Sequence, residues 1–376
     1  MMARALFCLL VAGALIRLAL FPLPFGDDFA DWMLDLENIF RGGFLYHYPL
    51  PVDGKFLMNG LEYNYTPFWK PPFFIYLMIP LKYLSAYTGI SMFFLAKLVF
   101  LLSDLAVSYL LYSLLSAKGA TEKKALMGMS LFLFNPLVVY LSSVVGKFDS
   151  LVLLFLLLAL RNVGRARFSL YYGVSFATKP FTLLILPWFL FRNRALKRFI
   201  ILSFAVFLFI LLPYLIYDYR FLGDIFFPHY SKTPRGFSWM IILGLFESGT
   251  MRALTSVFFG LYLISLVAIA WLFESSVYAY SALAFTLFVV FNKVLWEQYL
   301  IWGIPFLAAL YVLNKSRMAL VLIFAYSAAG VMYNSHVQLF DEVRLVAVNF
   351  CLLALTIIFL GSVMLSKGFR LKRVLD

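Results

Sequence analysis

Apolar residues run along this chain in long blocks, and charged residues are confined to the short stretches between them. The blocks fall at residues 3–22, 92–116, 124–143, 148–161, 168–191, 198–217, 251–273, 276–291, 298–313, 317–333 and 343–366. Apolar runs of roughly 18 or more residues predict helices that cross a bilayer, and the shorter blocks predict broken or tilted ones. The expected architecture is all-α: a polytopic integral membrane protein with about 11–12 membrane-embedded helical segments in a single domain over residues 1–376. No heptad pattern, low-complexity tract or soluble domain interrupts it. The first block lacks a small-residue cleavage site and is expected to be a retained helix, not a signal peptide. Cys8 and Cys351 lie inside blocks, which favours packed thiols over a disulfide or a metal site.

Composition agrees. The chain is 64% hydrophobic and 13% charged, where soluble domains run at about 25% charged. The net charge of +13 would suit a nucleic-acid binder, but its distribution does not. The basic residues gather in short loops: Lys118, Lys123 and Lys124; Arg161, Arg165 and Arg167; Arg192, Arg194, Lys197 and Arg198; Lys315 and Arg317; Lys367, Arg370, Lys372 and Arg373. Cytoplasmic placement of these loops satisfies the positive-inside bias, with the lipid bilayer as the partner and no nucleic acid. Residues 71–88 look like a further span, but a crossing there would invert the bias for every later loop. Pro71, Pro72, Pro80 and Lys82 also make a poor plain helix. The segment is therefore expected on the outer face, partly buried. The first extracytoplasmic loop is then 22–91, and a second large one is 218–250.

With that topology Glu122, Glu274 and Asp376 fall inside, Asp104 lies within a span, and the other acids face outward. The stretch "FGDDFADWMLDLENIFRGGFLY" carries Asp27, Asp28, Asp31, Asp35 and Glu37. It predicts a helix with an acidic first turn, where negative charge suits the dipole, and an apolar face of Trp32, Leu36, Ile39 and Phe40. The "RGG" triplet ends it. An interfacial helix would account for this pattern, though not for acids set against the end of a membrane span. In "EYNYTPFWKPPFF", Tyr63, Tyr65, Phe68 and Trp69 are either an interfacial aromatic belt or a platform for a sugar or lipid headgroup. The tripeptide at Asn64–Thr66 fits a glycosylation sequon.

Further candidates lie on the same predicted face. Lys179 precedes Pro180 inside an apolar block; it either snorkels or serves a cavity at a helix break. Lys293, Glu297 and Gln298 stand at a span entrance, as a salt-bridged turn or as substrate ligands. Lys147 and Asp149 in "GKFDSL" either pair with each other or hold a donor. The loop "YDYRFLGDIFFPHYSKTPRGFSW" brings Arg220, His229, Lys232 and Arg235, either as ordinary surface or as an element closing over a lipid phosphate. No His/Cys/carboxylate spacing suggests zinc, so no metal or other cofactor is expected.

The order of acid, helix, "GG", "Y", "YNYTPFWKPP", "AKLVFLLSDLAVSYLLYSLLSAKG", "FNPLVVYLSSVVGKFDSL", "GVSFATKPFTLLILP" and "FNKVLWEQYLIWGIPF" resembles the polyprenyl-phosphate-mannose-dependent transferases of the GT-C class. The closest likeness is to the catalytic subunit of glycosylphosphatidylinositol mannosyltransferase I and related bacterial and archaeal enzymes, over about residues 22–310. The resemblance implies an inverting mannosyltransferase of glycolipid synthesis with a first-loop carboxylate as base. Spacing to Gly42 favours Asp28. Gly26 stands where the family's Asp-x-Asp often has its first acid, so Asp27 or Asp31 would take that part. The implied partners are a polyprenyl (dolichyl) phosphate sugar donor and a lipid-linked or glycan acceptor, with room for a small accessory membrane subunit.

The chemistry asks for the same parts. Transfer to a hydroxyl needs a carboxylate to take the acceptor proton, and cations where charge grows on a phosphate leaving group. A retaining enzyme would need a second carboxylate about 5 Å from the first. Asp28 is the expected base with Asp31 beside it. Lys147, Asp149, Lys179, His229, Arg235, Lys293 and Gln298 are the expected donor and substrate residues. A secondary transporter is the competing reading, but it would call for internal repeats and a midplane site. A scaffold subunit would leave Asp28 dispensable.

Overall fold

The computed structural model describes residues 2–23, 25–41, 55–58, 61–64, 71–192, 196–217, 219, 222, 235–236, 238, 240, 248–292, 294–335, 342–364 and 370–371. It is a helical bundle: α1 (Met2–Leu20), α2 (Asp27–Phe40), α3 (Phe73–Thr88), α4 (Met92–Ala117), α5 (Glu122–Leu133), α6 (Pro136–Tyr140), α7 (Asp149–Arg161), α8 (Ala166–Thr178), α9 (Leu186–Arg192), α10 (Lys197–Tyr217), α11 (Ser248–Leu272), α12 (Val277–Phe291), α13 (Glu297–Leu300), α14 (Ile304–Asn314), α15 (Arg317–Ser335) and α16 (Glu342–Met364). Four of these, α1, α4, α10 and α11, are long and apolar enough to cross a membrane. The count is five if the pair bent by 45° at 134–135 is one span. The chain is therefore an all-α, multi-pass integral membrane protein.

The helix ends follow from local chemistry. The Asn135 side chain accepts from the amides of Leu137 and Val138, and Pro136 sits at the first helical position of α6, where its missing N–H costs nothing. Ser276 caps α12 through the amide of Ala279. Helices α12 and α14 are apolar on all sides and lie buried among α5, α15 and α16. Helix α10 presents Ile201, Phe209 and Ile216 outward at 68%, 76% and 78% exposure, a surface suited to lipid.

Four sequence expectations need correction. Residues 71–88 do form a regular helix, α3, with Pro80 inside it. Its first half is buried (Phe74, Ile75, Met78) and its second half exposed, so the partial burial holds while the irregular backbone does not. Phe40 is exposed and drops out of the apolar face of α2, which is built from Phe29, Trp32 and Leu36. Cys8 and Cys351 are free, but exposed and not packed. The first loop also holds an antiparallel pair of strands, β1 (Lys55–Met58) and β2 (Leu61–Asn64), with Met58 opposite Leu61.

Residues 168–191 do not make the single crossing their hydropathy predicts. Helix α8 stops at Thr178 and Lys179 is extended, as the residue before a proline prefers. Pro180 opens a 3₁₀ turn that runs into α9. The Tyr172 hydroxyl then donates to the Thr182 carbonyl at 3.0 Å, and the Phe168 ring lies 5.0 Å from that of Phe189. In one continuous helix positions 168 and 189 would stand about 30 Å apart. The segment is an antiparallel hairpin with Lys179 near its tip. The Trp188 indole donates to the Ser275 carbonyl at 3.1 Å, which fastens the returning arm to the turn between α11 and α12. Single cysteines at Val163→Cys and Lys197→Cys, in a background free of Cys8 and Cys351, are expected to label from the same side of the membrane. Labelling from opposite sides would show that the segment crosses.

Candidate active site

The N-terminus of α2 meets the start of α7 through two glycines. The Gly26 amide donates to the Val145 carbonyl at 3.0 Å, and a Cβ at Gly26 would stand 2.7 Å from Val145 Cγ1. No aspartate fits at position 26 without moving that contact. After α6 the chain makes a π turn over Leu141–Val145, and Gly146 follows at φ +82°. That left-handed backbone favours glycine, and it turns the next residue toward α2.

Lys147 forms an ion pair with Asp28, in the first turn of α2. The lysine side chain is only 9% exposed and the aspartate 31%. Burial works against the ammonium charge, but the carboxylates of Asp28, Glu297 and Asp149 outweigh it and hold the Lys147 pKa above the ordinary lysine value. Two residues on, Asp149 opens α7 and pairs with Lys179 at 2.7 Å. The same Asp149 oxygen accepts from the Trp302 indole at 2.7 Å. So Lys147 and Asp149 do not pair with each other; each reaches a partner on another element.

Aromatic rings wall this cluster. Phe148 stacks on Phe74 at 4.1 Å and meets Trp32 at 4.8 Å. The Lys179 ammonium lies 4.9 Å from the Phe148 ring centroid and 5.8 Å from that of Trp302. Trp302 in turn stacks on Phe181 at 3.6 Å. The Lys179 charge is thus spent on Asp149 and a ring cage, with 5% of its side chain exposed.

Of the expected site residues, Asp28, Lys147, Asp149 and Lys179 come together. Glu297, at the start of α13, is close enough to act on Lys147. Gln298 is buried beside it in sequence, and Asp31 is buried one turn along α2 from Asp28. Lys293, His229, Lys232, Arg220 and Asp27's side chain lie outside the described residues, as do Gly42, Tyr65, Phe68 and Trp69. Arg235 is described in its backbone alone: Arg235–Gly236 pairs in parallel with Val294–Leu295, one residue past position 293. Asn292 accepts from Ser238 at 2.8 Å through its carbonyl, so the second loop is joined to the entrance of α13. Among the described residues no group of three or more His, Cys, Asp or Glu could hold a metal ion.

Two features carry no advance signal strong enough to assign them. Trp302 reads as one more apolar residue, and its indole contact depends on the fold. Asp104 was visible as an acid within a span, but its partner was not. Arg17 of α1 donates from Nε to Asp104 Oδ2 at 2.7 Å, and Ser142 in the π turn donates to the same oxygen at 2.6 Å, both side chains of the ion pair being fully buried.

A scan of protein-family models matches none to this chain, and a search of curated proteins finds no match.

The Asp149–Lys179 pair has a measurable signature. Lys179→Met leaves a buried carboxylate without its cation and is expected to lower stability by about 3–5 kcal/mol. Asp149→Leu in the same chain should recover much of that. Thermal unfolding in detergent reads both, and a double variant no better than the single one would mean the two residues do not act as a pair.

Proposed function

We propose that this chain is a membrane glycosyltransferase, an inverting enzyme of the mannosyltransferase kind. It would move a sugar from a polyprenyl phosphate to a hydroxyl of a lipid-linked or glycan acceptor. One observation carries the reading. At a junction where Asp31, Asp149 and Glu297 are sealed from solvent, Asp28 alone among these acids keeps an accessible side chain, and a lysine ammonium is set against it. That is the state a general base needs before it takes a proton. Trp32, Phe74 and Phe148 pack on one another behind the pair and give it a rigid apolar backing.

In this reading the basic loops face the cytoplasm and the Asp28 site faces outward. The hairpin of α8 and α9 favours that arrangement, because it returns Arg192 to the side of Arg161, in keeping with the charge bias. The donor would enter sideways from the bilayer. Lys147, Lys293 and Arg235 would meet its phosphate, while Lys179 keeps Asp149 and Trp302 in place. The test is to incubate purified protein with a panel of radiolabelled polyprenyl-phosphate sugars and native membrane lipids. Label passing into a lipid or glycan product supports the reading. No transfer from any donor, together with solute uptake by reconstituted vesicles, would replace it with a transporter.

A further inference from the structure

We infer that Lys147 changes partner during the reaction: it pairs with Asp28 at rest and passes to the departing phosphate as Asp28 takes the acceptor proton. This rests on the reading above and deepens it: Lys147 meets the phosphate there, and here it does so by leaving Asp28.

The basis is a balance of charge around one buried ammonium. The acceptor O–H proton goes to an Asp28 oxygen, and the acceptor oxygen bonds to the anomeric carbon. The bond from that carbon to the phosphate oxygen breaks, and its electron pair stays on the phosphate. Asp28 thereby changes from −1 to neutral, and the phosphate changes from a singly charged diester to a doubly charged monoester. The negative charge has moved, and total charge is unchanged. A buried lysine next to Asp28 loses its partner at the moment a new anion appears.

The surroundings single out Lys147 for this. Among the described residues, the charged and titratable groups that face it are Asp28 from α2, Asp149 from α7 and Glu297 from α13, with Lys179 across Asp149. Tyr299 of α13 lies within the field of Asp28, Asp149 and Glu297. Tyr140 of α6 lies near Glu297. Of these, only Asp28 exchanges a proton in the proposed step. Lys179 cannot follow the moving charge, because it is bound to Asp149, which takes no part in the step, and Trp302 and Phe148 cage it. Lys147 stands instead on a chain turned by Gly146, with its partner on the accessible side of the pair.

Single-turnover transfer from polyprenyl-phosphate mannose, followed against pH, tests the step. Lys147→Met is expected to move the acid limb of the profile to higher pH, because Asp28 loses its cation. It should also lower the alkaline plateau by about a hundredfold, because the leaving phosphate loses it too. Lys147→Arg should restore most of the plateau. A Lys147→Met plateau equal to that of the parent protein would overturn the inference, leaving Lys147 as a positioning residue for Asp28 alone. A second measurement does not need an active variant. Free polyprenyl phosphate should bind Asp28→Asn about tenfold more tightly than the parent, and Lys147→Met in that background should abolish the gain. An equal gain with and without Lys147 would also overturn it. A parent protein that transfers no sugar from any donor rejects the proposed function itself, and the partner change falls with it.

Discussion

Asp28→Asn leaves a folded protein whose sugar transfer falls by roughly 10²–10⁴, the usual contribution of a positioned base. The substitution keeps the shape of the side chain and its place in the first turn of α2. It removes the charge that pairs with Lys147. Folding survives because Asp28 is the most accessible acid of the cluster and the buried face of α2, with Phe29, Trp32 and Leu36, is untouched. Asp31→Asn is expected to cost less transfer, since Asp31 is sealed from the accessible side. Glu37→Gln should change transfer little: Glu37 is half-exposed at the far end of α2 and pairs with Lys82 of α3, whose hydrogen bond draws its carboxyl below the usual value. Rate measurements with radiolabelled donor and a circular dichroism check of folding decide it. If Asp28→Asn is active and Asp31→Asn dead, the base lies one turn further along α2. If both remain active, the stretch is an interfacial helix and the enzyme reading fails.

The second large effect is on stability. Arg17→Met strips the cation from a fully buried Asp104, and an uncompensated charge there is expected to cost about 3–5 kcal/mol. Pairing it with Asp104→Leu should return most of that loss, because a buried ion pair adds little over apolar side chains of similar volume. The readout is loss of monodisperse protein on heating in detergent. A single variant as stable as the parent would mean that Arg17 and Asp104 do not meet inside the bundle. The pair joins α1 to α4 and, through Ser142, to the π turn that precedes Lys147, so transfer should also fall in the single variant.

What the sequence disclosed and what it withheld divide along physical lines. The helical class and most helix boundaries were legible, because a long apolar block is a local property that needs no partner, although only four or five of the eleven blocks are helices long and apolar enough to cross a membrane. The hairpin at Lys179 was not. Pro180 announced a break, but hydropathy has no direction and cannot tell a chain that continues from one that turns back. The strand pair had a signal that a helical frame passes over: Asn59-Gly60 between "KFLM" and "LEYN" is a strong two-residue hairpin motif. At the candidate site the residue types were legible and their pairing was not. Lys147 and Asp149 sit two apart at a helix entrance, where neighbouring side chains diverge. Their real partners are 119 and 30 residues away. Arg17 was missed because a lone arginine near the end of an apolar block looks like an anchor until the fold sets Asp104 beside it.

These separations acquire another meaning on the ribosome. Arg17 is made 87 residues before Asp104, and Asp28 is made 119 residues before Lys147. At about 5–20 residues per second, that is a wait of about 4–17 s for the first and about 6–24 s for the second. Throughout the first interval the α1 guanidinium has no counter-charge and only the Gly13 carbonyl of its own helix as acceptor, so its settled place in hydrocarbon depends on a helix that has not yet been synthesised. Membrane insertion of this chain is therefore not a procession of independent spans. Its first helix settles only when its fourth arrives.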